Sequence, residues 1–191
     1  PTPPTLISAV AFARNDPSTI HVATATHVGT YSIAGDRCLQ VSVCALPPEK
    51  RGFVANLSPS NDGKVVINYG NALPMGLVDG ANYQTLPSSS TPNTYYTGAF
   101  ANDGTFIVIV DTSSTNHAIH GYSGISDFLN NLPPTTTYTK DSTPGPRASG
   151  VGQPLKNVVD MRGFSQTNTI TFNKDRTKFV VGGICLKCNT L

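Results

Sequence analysis

Charge is scarce in this chain of 191 residues. Only 13% of the side chains are Asp, Glu, Lys or Arg, against roughly 25% in an average soluble domain. The net charge is +2 and the Lys and Arg are dispersed, which argues against nucleic acid or an anionic membrane as the main partner. Long apolar runs are also missing. None is longer than the five residues of Phe106 to Val110, far short of the roughly 20 residues a helix needs to span a bilayer, so no membrane span is expected. Tryptophan is absent altogether, so any internal repeat has to be marked by other residues. No Gly-rich phosphate loop, His-Glu helix motif or calcium loop occurs, and no cofactor is expected. The opening Pro1-Thr2-Pro3-Pro4-Thr5 has neither the basic nor the apolar region of a signal peptide, as a mature secreted chain also would not, and the compartment stays open.

Thr, Ser, Asn, Pro and Gly take the place of the missing charges, and they favour short strands joined by turns. Four stretches share one plan, an apolar strand, a turn around an Asp, and a second apolar strand. They are Ala11-Phe12-Ala13-Arg14-Asn15-Asp16, Asn56-Leu57-Ser58-Pro59-Ser60-Asn61-Asp62-Gly63, Ala99-Phe100-Ala101-Asn102-Asp103-Gly104 and Thr171-Phe172-Asn173-Lys174-Asp175-Arg176. Phe12 to Leu57 spans 45 residues, the step to Phe100 a further 43, and the step to Phe172 a further 72. The first two intervals suit one repeat unit, and the third requires an insertion. In the first unit Ile7, Val10 and Phe12 start a strand, Asn15-Asp16-Pro17-Ser18 turns, and Ile20, Val22 and Ala23 resume with period two. Gly29 to Ile33 and Arg37 to Val41 supply a third and a fourth strand, the content of one propeller blade.

On these residues the chain resembles the WD-repeat family. Thr24-Ala25-Thr26-His27-Val28-Gly29-Thr30-Tyr31-Ser32-Ile33 is similar to the middle of such a blade, and Gly35-Asp36-Arg37-Cys38-Leu39-Gln40 to its last turn and strand. The second unit is similar from Asn61 to Leu86 and the third from Asn102 to Gly124, whereas the Trp-Asp pair and an opening Gly-His pair are absent. The resemblance implies an all-β, antiparallel fold of β-propeller-like repeats, about four units within a single domain over residues 1–191. Its alternative is a β-sandwich or jelly roll, because low charge with abundant Thr, Asn, Pro and Ser also resembles the domains of viral capsids and spikes. Residues 133–154, rich in Pro and Thr, read as a loop or linker inside the domain. Ile125 to Leu132 is the one helix candidate, ended by Pro133.

Four cysteines are present, and Cys185-Leu186-Lys187-Cys188 has metal-ligand spacing. Cys38 and Cys44 would complete a tetrahedral set if the chain ends met. Reduced structural thiols and a disulfide between the first and last segments are the other readings. His117 and His120 read as a loop pair, since residues three apart on a strand point to opposite sides. Gly121-Tyr122-Ser123-Gly124 lacks the residues of a nucleophile elbow. The sequon Asn56-Leu57-Ser58 lies in an expected strand. No acid, base and nucleophile set can be assembled, so a non-enzymatic protein is expected. Its partners are other proteins or copies of itself, met through polar loops, with Asn71, Pro74 and Met75 in one loop and Asn116, His117 and His120 in another. In the sandwich reading the same loops meet a receptor or an adjoining subunit. Phe12→Ala and Phe100→Ala should each cost about 3 kcal/mol, as buried aromatic truncations do.

Overall fold

The computed structural model describes residues 6–70, 73–90, 93–101, 103–113, 116–140, 158–159, 164–172 and 179–185. They form an all-β fold with a single short helix. Strands β1 (Ile7–Phe12), β2 (Thr19–Thr24), β3 (His27–Ala34) and β4 (Arg37–Ala45) make sheet 1, an antiparallel meander in chain order. A 3-10 turn, Pro48–Lys50, leads to β5 (Val54–Pro59), β6 (Val65–Tyr69), β7 (Gly76–Asp79) and β8 (Asn82–Thr85), which repeat the meander as sheet 2. Sheet 3 comprises β9 (Ser89–Ser90), β10 (Asn93–Phe100), β11 (Phe106–Ser113), β12 (Asn116–Tyr122), β13 (Thr136–Lys140) and β14 (Val158–Val159), in the order β14-β13-β12-β11-β10-β9. Helix α1 (Ile125–Leu129) lies between β12 and β13, and β15 (Phe164–Phe172) pairs with β16 (Phe179–Cys185) in a hairpin of its own.

The Asp turns close these hairpins in the way their residue types dictate. Asp16 Oδ1 accepts from the Ser18 amide at 2.9 Å and its Oδ2 from the Thr19 hydroxyl at 2.6 Å. Asp103 Oδ1 accepts from the Thr105 amide at 2.9 Å. Hydrogen bonds to the ionised carboxylate, first from the Ser18 hydroxyl and from the Thr105 amide respectively, hold both acids below the usual carboxylate range. Gly63 and Gly104 follow the second and third Asp at φ +85° and +90°, a left-handed conformation that glycine adopts without a Cβ penalty.

The sheets stack face against face in chain order. Ala23, Val28 and Cys44 of sheet 1, with Ala9 and Ala11 against them, pack on Leu57, Val65, Ile67, Tyr69 and Val78 of sheet 2. The opposite face of sheet 2, with Val66, Met75 and Leu77, packs on Tyr95, Phe100, Phe106, Val108 and Tyr122 of sheet 3, where α1 adds Phe128. Sheet 2 is therefore buried on both sides, which explains why Val65, Val66 and Ile67 run without polar alternation. The strands that carry Phe12, Leu57, Phe100 and Phe172 come closest, β1 beside β5, β5 beside β10, and β10 beside β15.

Two buried polar side chains join sheets 2 and 3. Asn68 donates from Nδ2 to the Gly98 carbonyl at 3.0 Å and accepts the Gly98 amide on Oδ1 at 2.9 Å. Ser58 Oγ accepts the Phe100 amide at 3.0 Å. These bonds satisfy a stretch of β10 backbone on the side turned away from β11. Lys50 is also buried, donating to the Pro74 carbonyl at 2.9 Å with its ammonium 5.1 Å from the Tyr69 ring centroid, so the turn before β5 holds the segment before β7.

Two expectations need correction here. Residues 133–154 are not wholly a linker, because Thr136–Lys140 is β13 and pairs antiparallel with β12. The β-branched and aromatic run Thr136-Thr137-Tyr138-Thr139 suits a pleated strand. Phe12 is not a core anchor, being 62% exposed, whereas Phe100 is 3% exposed as expected.

Candidate interaction surface

Strand register places the side chains of sheet 1 on two different faces. Val10 stands opposite Val22, and Phe12 opposite Ile20. Ile20 in turn stands opposite Tyr31, and Ile33 opposite Cys38. Directly opposed residues share a face, so Val10, Phe12, Ile20, Val22, Tyr31 and Ile33 form one apolar surface. It lies on the side of sheet 1 away from sheet 2, since Ala9, Ala11 and Ala23 occupy the other side. Val10 and Phe12 are exposed and the other four are half-buried. On β4 the residues opposite Tyr31 and Ile33 are Gln40 and Cys38, whereas the exposed Leu39, opposite Ser32, belongs to the other side of the sheet.

This surface matches the faces that sheets 2 and 3 turn to the sheet before them. Phe12, Pro59 and Phe100 each stand last in the strand before the Asp turn, and Leu57, two residues before Pro59, shares its face; Leu57, Pro59 and Phe100 are all buried. Each sheet also lays an aromatic ring over a glycine, on different strands in each: within β3 in sheet 1, across β7 and β8 in sheet 2, and across β10 and β11 in sheet 3. A Cβ on Gly29 would sit 2.6 Å from the Tyr31 ring, on Gly76 2.7 Å from Tyr83, and on Gly98 2.5 Å from Phe106. Tyr83 packs with the core between sheets 1 and 2, and Phe106 lies in the core between sheets 2 and 3. Tyr31 is the third of these rings, and it lies on the outer face.

The residues expected to make interaction loops are placed otherwise. Met75 is fully buried in the core between sheets 2 and 3, and the carbonyl of the half-buried Pro74 is taken by Lys50. Asn71 lies outside the described residues. Asn116 and His117 belong to β12, opposite Ser113 and Asp111, so they are strand and not loop positions. His120 stands in the same strand between Val108 and Thr137, half-buried, with its ring centroid 6.4 Å from that of Tyr122. Burial pushes its imidazole below the usual histidine range.

The cysteine set does not assemble as one site either. Cys38 is exposed on the outer face and Cys44 is buried in the core between sheets 1 and 2, and both are free thiols. Their even spacing would put them on one face, but the register shifts between Thr30 and Tyr31, which pair with Ser42 and Gln40, and turns them to opposite faces. Cys185 is in β16 with its side chain outside the description, and Cys188 lies outside the described residues. Among the described residues no three His, Cys, Asp or Glu side chains gather as a metal site.

No family model matches the chain, and no curated protein does. The outer face was legible in one signal that the Asp-turn pattern obscured. Ala9-Val10-Ala11-Phe12-Ala13 is apolar without alternation, the mark of a strand covered on both sides.

Proposed function

We propose that this protein is a non-enzymatic protein-interaction module whose sheets are successive blades of a WD-like propeller, and that it binds through the outer face of sheet 1. The observation that carries the reading is the threefold correspondence of Phe12, Pro59 and Phe100, each last in the strand before its Asp turn, two buried on the side of a preceding sheet and one exposed. A contiguous apolar surface of this kind is what a protein contact site offers. A two-layer sandwich leaves each sheet one face to solvent, whereas the double burial of sheet 2 favours a continuing stack. Meanders in chain order, with the strands before the Asp turns adjacent, fit radial blades better than crossed sheets. The Asp carboxylates Asp16, Asp62 and Asp103 are engaged by their own turns, which supports a structural role for them.

Radial blades fan outward, and this separates them from flat layers. Spin labels at Pro17 and Asn61, in the first turns of sheets 1 and 2, should lie closer together than labels at Asp36 and Ala81, in their last turns. The asymmetry is expected because Asn15 already donates to the Asn61 carbonyl at 3.0 Å. Pulsed electron resonance in a background without native cysteines reads both distances, and equal values would overturn the blade reading.

A further inference from the structure

We propose that Arg14 is a strap between sheets 1 and 3, a direct tie past sheet 2 that makes the three sheets open as one block. The tie does not depend on whether the sheets are blades of a ring, so it stands apart from the reading above.

The turns that follow β1, β5 and β10 begin alike. The amide just past each strand, Ala13, Ser60 or Ala101, donates to the carbonyl that ends the turn, Thr19, Lys64 or Thr105, at 2.9, 2.7 and 2.7 Å. Arg14 is the next residue in the first of these turns. Its guanidinium donates to two successive carbonyls at the start of the third, to Phe100 from Nη2 and to Ala101 from Nη1. Its Cζ also stands 5.9 Å from the Phe100 ring centroid. A planar fork holds two acceptors at once, which the point charge of an ammonium does not.

Sheets packed face to face lie about 10 Å apart, so sheets on either side of a third are about 20 Å from each other. An arginine side chain reaches only about 7 Å from its Cα. Sheets 1 and 3 therefore converge at the Asp-turn end of the stack, and Phe100 is where they meet. Its amide is taken by Ser58 of sheet 2 at 3.0 Å, and its carbonyl by Arg14 of sheet 1. With Asn68 on both backbone groups of Gly98, the backbone of β10 turned away from β11 is served by side chains from both earlier sheets.

In a plain stack each unit touches only its neighbours, and a disturbance reaches the next unit but one only through the unit between. Arg14 breaks that rule. Sheet 1 cannot lift off sheet 2 without also giving up two charge-assisted bonds to sheet 3. The strap lies two residues past Phe12, so it also fixes the end of the strand that carries the proposed interaction face.

Native-state hydrogen exchange of the full chain, read by NMR, tests this. In the wild type the slowest amides of β2 and β11 should have protection factors within about threefold of each other, as members of one opening unit. Arg14→Met keeps the stem and removes the donors. It should cost β2 at least about tenfold in protection and leave β11 in place. Arg14→Lys should behave in the same way because it cannot fork, and it carries the test if Arg14→Met does not fold. Arg37→Met, at an exposed arginine of the same sheet, should match the wild type. Separate opening of β2 and β11 in the wild type, unchanged β2 protection in Arg14→Met, or an equal loss in both sheets would each overturn the strap. Wild-type exchange in Arg14→Lys would overturn the two-carbonyl fork. A second readout lies on sheet 3 itself, where hydrogen bonds from Thr105 hold Asp103 below the usual carboxylate range and the Arg14 charge adds to them. By carboxyl-carbon NMR the Asp103 midpoint should move up in Arg14→Met and stay in place in Arg37→Met. A midpoint indifferent to Arg14 would put the guanidinium away from sheet 3 and overturn the contact.

Discussion

Replacing Asn68 by Ala should be one of the most damaging single changes to the join between sheets 2 and 3. The amide is 1% exposed and makes two bonds to the backbone of Gly98, at 3.0 and 2.9 Å. Alanine removes both partners and cannot replace them, leaving one N–H and one C=O of β10 buried without a mate. Each such group costs about 1–3 kcal/mol, so the sum is about 4 kcal/mol. A domain of this size is stable by only about 5–15 kcal/mol, and the loss would be visible at once in a urea midpoint. Asn68→Asp keeps the acceptor but turns an oxygen toward the Gly98 carbonyl, and should be at least as harmful. The exposed Asn82 on β8 serves as a control, with Asn82→Ala expected within about 0.5 kcal/mol of wild type. A loss below about 1 kcal/mol for Asn68→Ala, with an unchanged urea slope, would refute the idea that Asn68 holds the edge of β10.

Three further outcomes follow from the same packing. Phe100→Ala should cost about 3–5 kcal/mol and Phe12→Ala under about 1 kcal/mol in the monomer, by urea denaturation, because only the first is buried. Gly98→Ala should cost about 1–3 kcal/mol, since the new methyl would meet the Phe106 ring and the Met75 sulfur. An acid titration of stability should show a histidine contribution. Burial holds His21 and His120 below the usual range, so the folded state keeps them neutral while the unfolded chain takes up protons below about pH 6.5. Their contribution is full above that pH and is lost as pH falls toward the folded values. His21→Gln with His120→Gln should flatten urea midpoints between about pH 7 and 5, and an unchanged slope would contradict the assignment.

Much of sheet 1 could be read from residue order alone. Period-two apolar positions and the Asx-type turn at Asp16 are local signals, and the four strands fall where they indicate. Facing is not local. Whether Phe12 looks inward depends on which side of sheet 1 carries a neighbour, and period two cannot say so. The opposed facing of Cys38 and Cys44 hangs on a single register shift in β4, which spacing also cannot reveal. Asn68 and Ser58 looked like ordinary polar strand residues, and only the approach of β10 shows that they serve its backbone. The four-stranded repeat was legible because it is built from short-range turns, while the open face emerged only once the sheets were stacked.

Hydroxyl-radical footprinting of Phe12 and Phe100 tests the stacking of the sheets and the open outer face most directly. Phe12 should react readily and Phe100 should be protected, because only the second is covered by a preceding sheet. Equal protection of the two rings in the monomeric chain would contradict the account.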